Sequence, residues 1–402
     1  MATAEVVVVG GGLVGLTAAL LLAEGGIPVT VLDPVTLLPA RDSPYDLRTF
    51  ALTPASQRIF DRVQVWSALE AERIAQFSAM EVWDAEQPRA LHFAAPPTAA
   101  NTLGYVIEQA NLFVAMNARL QRSPLITGIA GQVSSVTPIP GACVLGLADG
   151  REVRASVVLG CDGGASPLRD LCGIACSEHD YQQTAIVANV TTTIPHGAVA
   201  RQRFLDTGPL AFLPLPPGDL SAVVWTTTDA HATWARDCTE AEFCADLTRA
   251  FDARLGTVLT SSRRVVFPLW RRHAAQYCQD RVALLGDAAH VIHPLAGQGL
   301  NLGLLDAAAL AEILIAADRA AREHPQSLLR RYARWRRGEN LAMLTVTEQL
   351  NRLFGTQQPV ISKLRGVGLA LTERLPVVKH LLAAYAMGER GEAPASARRR
   401  LG

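Results

Sequence analysis

The sequence predicts an α/β protein: a Rossmann-like nucleotide-binding domain, an inserted, mostly antiparallel β-sheet domain, and a C-terminal helical region. Three observations predict it. The chain opens on an apolar strand run, a glycine turn and an Ala/Leu-rich helix, Glu5 to Glu24. A second stretch of the same kind, strand, Gly-rich loop and apolar helix, recurs at Val282–Gly303. Between them, from about Thr184 to Val266, short β-rich segments alternate with turn residues. Strand-turn-helix units build parallel sheets, and runs of short strands build antiparallel ones.

Glu5–Val9 has the length and apolarity of a buried strand. Gly10-Gly11-Gly12-Leu13-Val14-Gly15 fits G-x-G-x-x-G and opens a helix that Gly25-Gly26 ends. Val29–Leu32 is the next strand, and Asp33 follows it, 21 positions after Gly12. In that context the pattern reads as a dinucleotide fingerprint. Gly10 makes the tight turn, Gly12 admits a pyrophosphate at the helix N-terminus, Gly15 lets helix and strand pack, and Asp33 accepts ribose hydroxyls. The uncharged run Val6–Ala23 approaches the length of a membrane span. Glycines interrupt it and no basic flank precedes it, so no targeting segment is expected.

A loop with Arg41, Asp42, Asp46 and Arg48 comes next, then a helix over Pro54–Val63 and another over Tyr105–Leu120, containing Gln109. Val144–Leu147 and Glu152–Val153 flank Asp149-Gly150, a hairpin turn. Val157–Leu159 leads as a strand into Gly160–Arg169, with Asp162-Gly163 at its start. In the β-rich region, Phe204, Phe212, Leu213 and Trp225 are core candidates that would also suit an apolar substrate wall. Thr239 and Glu242 form a capping box. The second glycine stretch follows: a strand at Val282–Leu285, Gly286-Asp287, Pro294, Gly297-Gln298-Gly299, and a helix from Leu300 to about Ala317. Leu328–Arg337 carries an Arg-rich face expected to be solvated, and 366–386 reads as an amphipathic helix pair. The expected domains are 1–183 and 267–320 for the nucleotide domain, 184–266 for the inserted sheet and 321–402 for the helical region.

Composition excludes several classes. With 402 residues, 49% hydrophobic and 18% charged, the chain is globular. Net charge is zero, and lysine occurs only at Lys363 and Lys379, so no basic field attracts nucleic acid. Seven scattered cysteines read as reduced thiols of a cytosolic protein. His290 and His293 lie in one turn with no third ligand in sequence reach, so no metal site is expected.

Together, Gly10–Gly15 with Asp33, Gly160–Arg169, and Asp287-Ala-Ala-His290 through His293-Pro294-Leu-Ala-Gly297-Gln298-Gly299-Leu-Asn301-Leu-Gly303 resemble the class A flavin monooxygenases, with the para-hydroxybenzoate hydroxylase-like fold. Within that group the sequence resembles the ubiquinone-biosynthesis hydroxylases, most closely in Asp287–His290, His293–Gly303 and Asp306, with Asp46-x-Arg48, Ala51-Leu52, Gly208–Pro214 and Phe267-Pro-Leu269 in support. The resemblance spans the chain to about residue 310. It implies FAD, with Gly10, Gly12, Leu13, Val14 and Gly15 at the pyrophosphate and Asp33 at the adenosine ribose. Family members often have Glu at that position, and the shorter Asp is tolerated. Asp287 would hold the ribityl chain, and the backbone of Gly297, Gln298, Gly299, Leu300 and Asn301 would lie against the isoalloxazine. Arg41, Arg48 and Gln109 would line the flavin or its phosphates, and Asp162 and Gly163 would touch FAD and passing NAD(P)H. His293, Pro294, Gly297 and Arg48 are the catalytic candidates.

The implied reaction hydroxylates the ring of a polyprenyl phenol with NAD(P)H and O₂, through a flavin C4a-hydroperoxide. The rival readings are a hydroxylase of a soluble phenol and a flavoprotein scaffold in a quinone-biosynthesis complex. Halogenation is set aside, because W-x-W-x-I-P is absent and both lysines lie near the C-terminus. The expected partners are a small aromatic substrate, lipid-tailed, and O₂. A homo-oligomer, and a cytoplasmic location with peripheral contact at the inner membrane or a quinone-biosynthesis complex as the further option, complete these expectations.

Overall fold

Val6, Val7 and Val8 have no polar side-chain atom, and a strand of such residues is stable only with both faces covered. They form the middle of β1 (Ala2–Val9) and are fully buried. The computed structural model describes residues 2–34, 45–85, 90–95, 102–294, 297–355 and 392–398. Arg41 and the segment 366–386 lie outside the described residues.

After β1 come α1 (Leu13–Glu24), β2 (Val29–Asp33), β3 (Thr49–Leu52), α2 (Pro54–Arg62), β4 (Ile74–Phe77), β5 (Ala79–Asp84), β6 (Leu91–Ala94), β7 (Gly104–Glu108) and α3 (Gln109–Gln121). Then follow β8 (Ile126–Ala130), β9 (Val133–Ile139), β10 (Ala142–Leu147), β11 (Glu152–Gly160), α4 (Pro167–Leu171), β12 (Cys176–Thr192), β13 (Val199–Leu205), β14 (Gly208–Leu215), β15 (Leu220–Thr227), α5 (Asp229–Asp237) and α6 (Glu240–Ala250). The chain continues through β16 (Val258–Ser261), β17 (Val265–Ala274), β18 (Cys278–Gln279), β19 (Val282–Leu284), β20 (His290–Val291), α7 (Gln298–Ala316), α8 (Arg319–Glu323) and α9 (Gln326–Gly355).

The first sheet runs β18-β19-β11-β1-β2-β8, with β19, β11, β1, β2 and β8 parallel. Its register pairs Val9 with both Leu32 and Gly160, and Gly160 with Leu284. The carboxyl ends of four strands therefore finish level, and each glycine motif leaves the sheet there. In open parallel sheets that edge is where ligands bind. Helix α7 lies beneath it. It is long and apolar enough to cross a bilayer, yet most of it is buried inside the protein.

The second sheet runs β20-β17-β12-β15-β14-β13-β5-β6, with β16 on β12, and is antiparallel except for β13–β5. Helices α5 and α6 cover one face, where Ile186, Phe212 and Trp225 meet Phe243, Leu247 and Phe251. Phe212, Trp225 and Phe204 are thus buried. On the other face, Ala200, Leu215 and Ala222 pack on β4 and β7 of a small sheet, β3-β7-β4. The rest of that face is more open. Val187, Ala211, Val224 and Leu213 are half-buried, and Val265 and Phe267 are exposed.

Two expectations need correction. The helix expected over Tyr105–Leu120 begins only at Gln109, because Tyr105, Val106 and Ile107 are strand formers paired on both sides, by β3 and β4. The Arg-rich face of α9 is solvated at Arg330, Arg331, Arg334 and Arg337, but Arg336 is buried.

Candidate active site

The glycines of the first motif are chosen by what surrounds them. Gly10 has φ +109°, and a Cβ on it would meet the Cys161 carbonyl oxygen at 2.3 Å. Its N–H donates to Leu32 O at 2.8 Å, and the Cys161 N–H donates to Val9 O at 2.7 Å. The turn is therefore clamped between the ends of β2 and β11. Gly12 caps α1 with no side-chain cap, no acidic residue stands in the first turn, and a Cβ there would meet none of the described residues within 4 Å. The helix N-terminus is left open toward solvent, the arrangement an anion uses. Asp33 lies beside it, its Oδ2 accepting the Gly11 N–H at 2.5 Å.

Val14 joins this motif to the second glycine stretch. Its methyls lie 3.2 Å from a Cβ built on Gly286 and 2.6 Å from one on Gly303. Any side chain at Gly303 would push α7 away from α1. The Leu13–Gly15 turn, Gly286-Asp287 and the start of α7 thus form one wall.

Asp287 projects from that wall. Its side chain is exposed and has no hydrogen-bond partner among the described residues. Enclosure by protein nevertheless pushes its carboxyl above the usual range, with His290 and Arg48 pulling the other way. A group both solvent-reachable and tightly walled stands on the floor of a recess. Arg48 is exposed, its backbone carbonyl accepts the Gln109 N–H at 2.8 Å, and Asp46 Oδ1 takes its own N–H at 3.0 Å. Arg48, Gln109 and Asp287 are therefore gathered at one place.

Gly297 turns the chain into α7 with φ +60° and ψ 26°, again without a side-chain cap. Gln298 is buried, and Gly299 and Leu300 are half-exposed. The Asn301 side chain is fully engaged with protein. It donates to Ala51 O at 2.9 Å and Gly297 O at 3.1 Å, and accepts from the Thr53 N–H at 3.0 Å and Ser56 Oγ at 2.7 Å. It fixes the loop to β3 and α2, so only its backbone remains for a ligand. Asp162 is similar. Its carboxylate accepts from Ser166 Oγ at 2.7 Å and the Leu168 N–H at 2.8 Å, capping α4, while Gly163 beside it has φ +83°.

The two histidines of the turn serve different ends. His290 is buried and its Nε2 lies 2.6 Å from Asp306 Oδ2. His293 sits next to Pro294 with the Tyr181 ring edge-on at 4.9 Å and Gln183 Oε1 at 3.4 Å from Nε2. Burial pulls its pKa down to about 4, so it is neutral at physiological pH.

Sequence reasoning gave no role to Asp306, Arg336, Asn340 or Ser56. The signal for Asp306 was present: a carboxylate inside the apolar run Leu304-Leu305-Asp306-Ala307-Ala308 needs buried donors. Those donors come from distant segments that spacing does not reveal.

A family model described as FAD binding domain matches residues 3–346. Ubiquinone hydroxylase UbiL of Rhodospirillum rubrum is 38% identical over 390 residues, 96% of this chain and 90% of that protein. The 3-demethoxyubiquinol 3-hydroxylase of Escherichia coli is 34% identical over 389 residues, 96% of this chain and 98% of that protein. The crystal structure of p-nitrophenol 4-monooxygenase PnpA from Pseudomonas putida DLL-E4 superposes with a TM-score of 0.77 at 22% identity, covering 96% of this chain and 99% of that one. At that identity the likeness speaks for the fold.

Proposed function

The chain belongs to the FAD binding domain family and is an FAD-dependent aromatic hydroxylase, and from that premise we propose that its substrate is the phenolic ring of a ubiquinone precursor carrying an apolar tail. The residues present fit FAD: an open, uncapped helix N-terminus for the pyrophosphate, Asp33 beside it, and the recessed Asp287 without a hydrogen-bond partner among the described residues. Bound FAD takes reducing equivalents from NAD(P)H and activates O₂ for transfer to the ring. Everything else falls to the chain. Gly10, Gly12, Leu13, Val14 and Gly15 hold the diphosphate by backbone, Asp33 accepts from the adenosine ribose, and Asp287 accepts from the ribityl hydroxyls. Arg48 and Gln109 line the same recess. Gly297–Asn301 present a bare helix N-terminus to the flavin ring, and Asn301 keeps that turn in place. Asp162 holds the Gly163 turn open on the other side. His293 and Pro294 stand beside the loop, and a neutral, buried His293 orients a phenol by hydrogen bonding without competing for its proton.

The observation that supports the apolar tail is the open face of the second sheet. Val224 pairs with Val187 and Ala211, Val187 with Val265, and Ala185 with Phe267, so these side chains share one surface. Asn189 on the same face donates to Asp46 O at 3.2 Å, two residues before Arg48, which turns the face toward the recess. A soluble phenol needs no such wall. A tailed substrate also resides in a membrane. Val346, Leu350 and Leu353, exposed within an arc of about 60° on α9, support a peripheral contact there.

The test compares a prenylated phenol in detergent with its tail-less analogue, reading hydroxylated product by mass spectrometry. Phe267→Asp is expected to raise KM for the tailed phenol about tenfold and leave the tail-less one unchanged, since burying about two methylenes is worth a decade. Equal turnover of both phenols, untouched by the substitution, rejects the tailed substrate.

A further inference from the structure

Asp306 lies in the middle of α7 and is fully buried. A carboxylate there must be matched by donors. Four converge on it. Oδ2 accepts from His290 Nε2 at 2.6 Å and from the Gly286 N–H at 3.1 Å. Oδ1 accepts from Arg336 Nε at 2.8 Å and Asn340 Nδ2 at 3.0 Å. Arg336 Nη2 also donates to Asn340 Oδ1 at 3.0 Å. One turn earlier, the Tyr332 hydroxyl donates to Leu284 O at 2.7 Å. Burial alone would raise the Asp306 carboxyl, but His290 and Arg336 outweigh it and hold it at about 2, so it is ionised throughout.

The two oxygens have separate tasks. Oδ1 faces α9, and Oδ2 faces the Gly286–His290 stretch that carries Asp287. Tyr332, Arg336 and Asn340 are four residues apart, so they lie along one face of α9, and all three act on Leu284–His290 directly or through Asp306. We infer that Arg336 and Asn340 are positioning residues: through Asp306 they fix the backbone that presents Asp287 to the recess. Without the guanidinium, the carboxylate loses its charge partner and one of its four donors. It then turns or protonates, and the Gly286 N–H and His290 lose the acceptor that holds them. The effect surfaces in the loop, far in sequence from the altered helix. The consequence for affinity rests on Asp287 being an FAD contact; the consequence for the loop does not.

The experiment uses the full-length protein with Arg336→Met, Arg336→Lys, Asn340→Leu and, as a control elsewhere on α9, Leu329→Ala, whose side chain is buried in the main core. Hydrogen exchange of peptides covering 284–291 is measured without ligand and compared with β1, and FAD affinity is read by flavin fluorescence. Arg336→Met is expected to speed exchange at 284–291 at least tenfold while β1 stays protected, and to weaken FAD tenfold or more. Arg336→Lys restores part of both. Leu329→Ala lowers the melting temperature and leaves the ratio of the two regions as in the wild type. Exchange at 284–291 that is unchanged in Arg336→Met, or that rises in step with β1 as in the control, overturns the inference. Should Arg336→Met fail to fold, Asn340→Leu keeps the ion pair, removes one donor and must move the same peptides in the same direction. A wild-type protein that binds no FAD refutes the cofactor reading, and the exchange result still decides the inference.

Discussion

Replacing Asp287 by Ala should move two quantities in opposite directions. The first is FAD affinity. A hydrogen bond to an ionised acceptor is worth about 1.5–3 kcal/mol net. At about 1.4 kcal/mol per decade, Kd should rise roughly tenfold to a hundredfold. Nothing in the protein offsets this, because the carboxylate has no hydrogen-bond partner among the described residues and its removal strands no donor. The second quantity is the stability of the protein without FAD. The folded-state pKa of Asp287 is raised, chiefly by burial, so the fold disfavours its ionised form. A raised carboxyl pKa subtracts stability above the folded pKa. That penalty fades as pH falls and is gone below the unfolded value, about 4. The apoprotein of Asp287→Ala should therefore melt higher than wild type at pH 7.5, with the gap closing as pH falls toward the unfolded value of about 4. Asp287→Asn, which keeps an acceptor without charge, should lie between the two in affinity. The measurements are titration of apoprotein with FAD by fluorescence quenching and melting curves across the pH range. An unchanged Kd, or an Ala variant that melts lower at neutral pH, refutes the reasoning, for then the carboxylate holds the protein rather than the ligand.

Other outcomes follow from the same geometry. Gly299→Val should keep FAD and NAD(P)H oxidation while diverting electrons to H₂O₂, since among the described residues its Cβ meets only Ile292 Cγ1, at 4.0 Å, and the added methyls enter the recess; product formed per NAD(P)H consumed, beside an H₂O₂ assay, reads this. Gly297→Val is a poorer probe of the same space. At φ +60°, with Ala51 Cβ 3.4 Å from the new Cβ, it should cost about 1–2 kcal/mol of stability from backbone strain alone, visible in denaturant melts. His293 has its pKa lowered to about 4, so stability is full above the unfolded value of about 6.5 and falls as pH drops toward 4, by about 1.4 kcal/mol per unit at most. His293→Phe should flatten that acid limb, and an unchanged limb shows that His293 is not buried neutral.

How much of the fold could be read from the chain depends on where its determinants lie. The N-terminal unit was legible because its signals are local: an apolar strand, a glycine turn and a helix lie within Val6–Glu24, and Asp33 follows at the right distance. Hairpin β10–β11 was legible for the same reason. The strand at Gly104–Glu108 was not. Its apolar residues run directly into those of α3, and only pairing with Thr49–Leu52 and Ile74–Phe77, far away in sequence, separates strand from helix.

The site divides along the same line. Glycines announce themselves, because a φ of +109° at Gly10 or +60° at Gly297 restricts the residue type whatever the rest of the fold does. Side chains that hold the glycine loops do not. Asn301 looks like one more polar residue at the start of a helix, yet its amide joins Ala51, Thr53, Ser56 and Gly297 into one piece. Asp306 looks like a misplaced charge in an apolar helix, and Arg336 like one of five arginines on a wet face. Neither is intelligible alone. An ion as buried as Asp306 is tolerated only when donors surround it, and supplying four required His290, the Gly286 backbone, Arg336 and Asn340 to meet at one point. A buried charge that demanding specifies its surroundings more tightly than any apolar contact. The sequence therefore hides the residues on which the geometry of the Asp287 loop most depends: each is marked only as unusual, and its partner is named only by the fold.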